Sequence, residues 1–497
     1  MKKRTGRLIL FLTMVALITG VTSYGVKAGS KGGEKPYELT VAFQTYGSTP
    51  SDMQLVENAI NKIALKKINV KVKFVPISMG AWIQQMQLML ASNEKLDLTY
   101  VTQETMTSAI SKQQLLPMDN LLHKYGKDIA KALGPYLKAC SIRGKIYMVT
   151  SIRDLATSYG IAIKKEVVDK YKIDITKIKT YDDVEAFLKT VKTHEPNTTP
   201  LVPCNTLNSV VTEIVTYDSL NNNMTGVLLN RGLDNLKVVN WFETKEYAKQ
   251  LKMVRRWYTS GYILKDAATN KESAQNLVKA GLGVAFLCHN KPGFDQQQTN
   301  LCGTPMVSAT ILPALATTSY IQLFGWSIPR NAQKPEKSMQ FLNLMYSDKD
   351  IVNLLDWGIE GKHYVKVKDN IIGYPPGVDA KTTGYGLNRG WMFGNQFLSH
   401  VWQGNPPDLW KQLDRFNKTA IKSKALGFAY DPTAVKTEIA AITNVCNQYQ
   451  PGLETGTLDP QERLPEFISK LKAAGIDKII ADKQRQLDEW AKAHKIK

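Results

Sequence analysis

The sequence is short of catalytic signatures. It has no Gly-x-Ser-x-Gly elbow, no His-Glu-x-x-His pair, no P-loop and no Gly-x-Gly-x-x-Gly after a strand. That removes the usual sequence footing for serine hydrolysis, zinc proteolysis and nucleotide chemistry. Cysteine is scarce: Cys140, Cys204, Cys288, Cys302 and Cys446, with no Cys-x-x-Cys and no zinc spacing. The odd count argues against a complete disulfide framework. Cys288 and Cys302 could pair across a loop; the alternative is that the thiols are small buried apolar groups. His289 beside Cys288 makes a poor nucleophile pair, because neighbours in a strand point to opposite faces. The apolar run Leu8 to Ile18 is too short to span a bilayer comfortably. Basic tracts with interleaved aromatics are missing too. Lys and Arg are scattered among acids, which points away from nucleic acid although the formal charge is +20. There is no internal repeat and no low-complexity tract.

What is present is a globular composition, 22% charged and 43% hydrophobic, over 497 residues. That length exceeds one usual domain and makes two lobes the natural expectation. The first residues read as an export leader, with Lys2-Lys3-Arg4 before the short apolar run. Ile18-Thr19-Gly20 resembles the approach to a lipoprotein cleavage site, but Val21 stands where the acylated cysteine would be. Val26-Lys27-Ala28 fits ordinary signal-peptidase cleavage, so residues 1–28 are expected to be a signal peptide and the protein to be exported. Removing the leader's basic residues Lys2, Lys3, Arg4, Arg7 and Lys27 takes the formal charge from +20 to +15.

Periodicity then places elements. Leu39, Val41 and Phe43 alternate, as do Val70, Val72 and Phe74, and Leu96 to Thr102 reads as a buried strand. Between them, Val56, Ala59, Ile60 and Ile63, with Asp52 as N-cap, and then Trp82, Met86, Met89 and Leu90, recur at helical spacing. A β-α-β-α-β order predicts a parallel sheet, whose ligands sit beyond the carboxyl ends of the strands. Arg143-Gly144-Lys145 reads as a tight turn. Strands are expected at Tyr159 to Lys164 and Val284 to Cys288. Helices are expected at Val167 to Tyr171, Asp182 to Lys192, Phe242 to Ser260 and Ser273 to Ala280, and in a C-terminal segment that Gly475 divides.

The stretch Phe324 to Tyr364 carries more than periodicity. A short strand, Phe324 to Ile328, ends at Pro329-Arg330-Asn331. A helix starts at Pro335-Glu336, and a second, Asp350 to Trp357, runs into Gly358-Ile359-Glu360-Gly361 and Tyr364. This pattern resembles the extracellular solute-binding proteins of ABC importers, the large class that includes sugar-binding proteins. The resemblance implies a type II two-lobed α/β fold hinged by crossings near Ile152 and at Ile311-Leu312-Pro313. It puts 36–152 with 314–372 in lobe one and 153–313 with 373–497 in lobe two.

The aromatics fit such a cleft. Large rings lie with Gly, Asn and Gln in expected loops, above all in Tyr385-Gly386-Leu387-Asn388-Arg389-Gly390-Trp391-Met392-Phe393. A flat ring can stack on a pyranose while amide and charged side chains bind its hydroxyls; the alternative for any one ring is an ordinary place in the core. By position in the resembled family, Tyr46, Gln103, Glu104, Arg153, Asp154, Tyr159, His289, Asn290, Trp326 and Trp391 are expected at the groove. The resemblance implies a monomer that captures a carbohydrate, an oligosaccharide above all, and delivers it to membrane ABC permease subunits. It implies neither a cofactor nor a metal. A secreted glycoside hydrolase, a surface glycan adhesin and a peptide-binding protein are the other readings.

Overall fold

Alternation in Val70-Lys71-Val72-Lys73-Phe74 makes a strand with Val70, Val72 and Phe74 buried and both lysines exposed. This strand, Val70–Ser78, pairs parallel with Tyr37–Thr45 from Tyr37↔Val70 to Thr45↔Ser78. Leu98–Thr102 pairs parallel on the other side of Tyr37–Thr45, and Phe324–Ser327 closes the sheet antiparallel to Leu98–Thr102. Helices Met53–Ile68 and Met79–Ala91 supply the crossovers that parallel strands require. The computed structural model describes residues 34–45, 49–92, 94–203, 209–387 and 389–496. The expected signal peptide, Tyr46 and Cys204 lie outside the described residues.

The second lobe is built on a mixed sheet in the order Ile421–Lys422, Met306–Ala316, Thr157–Lys164, Ala285–Asn290. Its three long strands are antiparallel, and Ile421–Lys422 runs parallel to Met306–Ala316. Two separate large cores follow. One holds Leu39, Val41, Phe43, Trp82, Tyr100, Trp326 and Phe341; the other holds Ile161, Phe187, Trp241, Phe242, Trp257, Phe467 and Ile479. Pro460–Ala473 and Ile476–Ala493 pack on the second, divided at Gly475, whose φ of +95° is at home in glycine.

The segments between the lobes are stitched together. Ser151 Oγ donates to Met392 O at 2.6 Å and Ile152 N–H to Gly394 O at 2.7 Å. Asn417 donates through Nδ2 to Arg153 O at 2.7 Å and accepts from Leu155 N–H at 2.7 Å. Arg153 donates to Tyr320 O at 2.9 Å, joining the first crossing to the second.

Three expectations are corrected. Ile311-Leu312-Pro313 is no crossing; it lies inside Met306–Ala316, where register shifts between Thr310 and Leu312 and between Leu312 and Leu315 make room for the proline. The chain crosses further on, through Thr317 to Leu323. Residues after 372 do not all go to lobe two, since Tyr385, Leu387, Met392 and Phe393 are buried in the first core. Asp52 precedes the first helix but makes no cap bond. It accepts instead from His363 Nε2 at 3.0 Å, while His363 Nδ1 accepts from Ile359 N–H at 2.9 Å. The Gly-Ile-Glu-Gly motif is therefore a clasp on the first helix. Gly358 is required there: its φ is +82°, and a Cβ would lie 2.4 Å from His363 Nδ1.

Candidate functional site

A cavity of about 750 Å³ opens between the lobes. Lobe one lines it with the helix Gln103–Ser111, whose N-cap Thr102 makes a capping box with Thr105, and with the hairpin that turns at Arg143. Lobe two lines it with Asn221, Asn222, Thr225, Tyr430, Asp431 and Lys436. Arg143 and Asp431 form an ion pair across it. A smaller cavity of about 200 Å³ shares Gln103 and Asn221 and adds Tyr159, Tyr217, Ser319 and Tyr320.

The lining is rich in groups that both donate and accept. Gln103, Thr107, Ser108, Asn221, Asn222 and Gln322 face the larger space, and such side chains suit a ligand made of hydroxyls. Among the described lining residues of both cavities Asp431 is the one carboxylate. A glycosidase needs two, about 5–10 Å apart. No cluster of three or more His, Cys, Asp or Glu able to hold a metal occurs among the described residues.

The residues expected at the groove fall into distinct places. Gln103 and Tyr159 line cavities; Glu104 follows Gln103 in the same helix. Burial, with Glu213 nearby, pushes the Tyr159 phenol up, so it serves as a neutral donor and acceptor. Arg153 and Asp154 are buried at the crossing. The Arg153 guanidinium lies 4.3 Å from the Phe324 ring centroid and 5.0 Å from that of Tyr320. Asp154 accepts from the Tyr320 hydroxyl and from Lys291 Nζ at 3.1 Å. Burial acts to raise the Asp154 pKa, but Lys291, Arg153 and Tyr320 outweigh it and hold the carboxyl below its usual range.

His289 is exposed on the face opposite buried Cys288. The protein packed around it and then the Lys291 ammonium push its pKa down. Near its backbone N–H lies Glu213, a carboxyl that burial pushes up to about 7. Asn290 is buried and spent on structure, donating to Thr310 Oγ1 at 3.0 Å and Ser308 Oγ at 3.2 Å. Trp326 is corrected: its ring is fully buried and its Nε1 donates to Met392 O at 2.7 Å, leaving no face for a ligand. Trp391 is half-buried, 4.6 Å from Phe324 between ring centroids, with Arg389 5.4 Å from its own. The described thiols Cys140, Cys288, Cys302 and Cys446 are free and buried, so Cys288 and Cys302 do not pair.

Sequence reasoning missed Asn221, Asn222, Tyr320, Tyr430, Asp431 and Lys436. The signal for the first two was the run Asn221-Asn222-Asn223, a residue type that tolerates left-handed backbone and bonds hydroxyls.

Comparison with known proteins agrees with this geometry. The model of a "Domain of unknown function (DUF3502)" matches residues 424–492. A carbohydrate ABC transporter substrate-binding protein of Streptococcus pneumoniae serotype 4 is 28% identical over 97% of this chain and 98% of its own. Among solved structures, the N-glycan transport solute binding protein NgtS of Streptococcus pneumoniae superposes with a TM-score of 0.82 at 26% identity, over 92% of this chain and 99% of that one. Its complexes with Man1GlcNAc and Man5GlcNAc, at the same identity and coverage, give 0.73 and 0.70. No helix among the described residues is long and apolar enough to cross a membrane. With the family model for the bacterial extracellular solute-binding protein matching residues 47–351, and two α/β lobes with a cleft between them, the chain belongs to that family.

Proposed function

We propose that the protein is an exported monomer that captures an oligosaccharide between its lobes and delivers it to the permease subunits of an ABC importer, without turning it over. The inter-lobe cavity lined by Gln103, Asn221, Asn222 and Gln322 carries this reading, because amide side chains match sugar hydroxyls in both directions. The relatives support the ligand class. NgtS superposes on this chain with a TM-score of 0.82, and its glycan complexes with 0.73 and 0.70, which is the direction a hinge between the lobes would give. Closure follows when a ligand touches both lobes only in the closed state. Of the residues expected at the groove, Gln103 and Tyr159 line the two cavities and are assigned here to the ligand, and a contact from Trp391, which lines neither, is part of the proposal.

A thermal-shift screen against Man1GlcNAc, Man5GlcNAc and unrelated peptides tests the proposal. A ligand at about 100 times its dissociation constant adds roughly 2.7 kcal/mol of stability, and small-angle scattering should then show a smaller radius of gyration. Stabilisation by peptides alone, or cleavage of the glycan by purified protein, overturns it.

A further inference from the structure

The C-terminal segment, whose family description assigns it no function, sends one charged side chain deep into lobe two. Lys483, on the helix Ile476–Ala493, is fully buried. Its ammonium donates to Thr225 Oγ1 at 2.7 Å and to the carbonyls of Gly226 at 3.0 Å, Leu220 at 3.2 Å and Asn222 at 3.3 Å. The Tyr430 ring centroid lies 4.9 Å away. Three N–H groups among four acceptors make a seat fitted to a cation. Burial pushes the Lys483 pKa down to about 7, with Asp218 pulling the other way. A side chain in so dry a place is kept because these oxygens replace its water.

All four acceptors come from the segment 220–226, and this segment is a wall of the cleft. Asn221, Asn222 and Thr225 line the larger cavity, and Asn221 the smaller as well. Its backbone is costly: Leu220 and Asn221 hold φ of 45° and 81° in succession. Non-glycine residues stay there only when their surroundings hold them. Asn221 donates its N–H to Ser319 Oγ at 2.7 Å and Nδ2 to Gln322 Oε1 at 3.2 Å, leaving Oδ1 without a partner among the described residues. The same helix also fixes a second stretch of the lobe-two wall. Gln486 accepts from Asp431 N–H at 3.0 Å and donates to Asp431 O at 2.9 Å.

We propose that the helix Ile476–Ala493 is the scaffold of the ligand cleft. In it Lys483 is the positioning residue that holds 220–226 in its ligand-binding shape, and Asn221 is the side chain this segment offers to a ligand hydroxyl. The proposal rests on the reading of the cavity as the solute site.

Three variants test it: Lys483→Met, Asn221→Ala and, as a control on the exposed side of the same helix, Lys478→Met. Hydrogen exchange and titration with Man1GlcNAc are read well below the unfolding temperature. Lys483→Met should raise exchange in 220–226 selectively and weaken binding about tenfold or more, as loss of a charged donor does. Asn221→Ala should weaken binding, with any rise in exchange confined to position 221, where Ala strains the positive φ and the Nδ2 bond to Gln322 is lost, and Lys478→Met should alter neither. Unchanged exchange in Lys483→Met, or raised exchange with wild-type affinity, overturns the positioning role. Should Lys483→Met not fold, Asn221→Ala decides, and wild-type affinity there overturns the proposal. A wild-type protein that binds no glycan defeats the solute reading instead, and exchange in Lys483→Met then decides the positioning role by itself.

Discussion

Arg143 and Asp431 face each other across the cleft, the guanidinium from a lobe-one hairpin on the carboxylate of the C-terminal segment. Both groups are reached by solvent, Arg143 at 50% and Asp431 at 25% side-chain exposure. An ion pair in that setting contributes about 0–1 kcal/mol and fades with salt. Its place matters more than its strength, because it joins two surfaces that a ligand must also join. A double-mutant cycle of Arg143→Gln and Asp431→Asn should give a coupling below about 1 kcal/mol in stability. Glycan affinity should change by less than about tenfold in either single variant, the equivalent of about 1.4 kcal/mol. A larger coupling would mean that the pair is desolvated in solution.

The two tryptophans expected at the groove should behave oppositely. Trp326→Ala removes a fully buried ring with a satisfied indole N–H and should cost about 3–5 kcal/mol of stability by urea denaturation. Trp391→Ala removes a half-buried ring and should leave the fold intact while weakening glycan binding by about 1.5–3 kcal/mol, the scale of one large apolar contact. Calorimetric titration of Trp391→Ala decides it: unchanged affinity would return that ring to the core.

Glu213 should mark the pH dependence of stability. Burial raises its carboxyl to about 7 from 4.5, so between those values the folded protein binds more protons than the unfolded chain. Stability from this group is therefore present below pH 4.5, is lost as pH rises through that window, and is gone above about 7. The full shift corresponds to about 3 kcal/mol; solvent reaches part of the side chain, so about 1–3 kcal/mol is expected. Urea midpoints of wild type and Glu213→Gln at pH 5 and pH 7.5 should differ most at the higher pH. Parallel curves would show that Glu213 titrates normally.

The thiols should be inert. Burial pushes Cys140 and Cys446 up to about 12 and Cys302 up to about 11, and drives Cys288 well above its ordinary value. The thiolate is the reactive form. A thiol reagent should therefore leave these four unmodified in the native protein and label them in denaturant. Peptide mapping should find no bridge between Cys288 and Cys302.

Local pattern determined a good deal of this protein. Alternation in Val70-Lys71-Val72-Lys73-Phe74 and helical spacing in Val56, Ala59, Ile60 and Ile63 report one-sided burial, which a chain encodes within a few residues. Pro335 opened its helix and Gly475 parted two others for equally local reasons, a missing N–H and a tolerated positive φ. Asp52 is different: its sequence position suits a cap, but His363, 311 residues away, takes its carboxylate. Trp326 and Trp391 both stand beside glycine in the sequence, yet one is sealed in the core and the other half-open. The difference lies in what packs over each, including a carbonyl 66 residues from Trp326. The cleft itself was decided only in three dimensions. Its walls come from Gln103 to Lys112, Asn221 to Thr225 and Ala429 to Ile439. Contacts between segments so far apart leave no period in the sequence, and a buried lysine such as Lys483 reads there as one more charge on a helix until the carbonyls around it are seen.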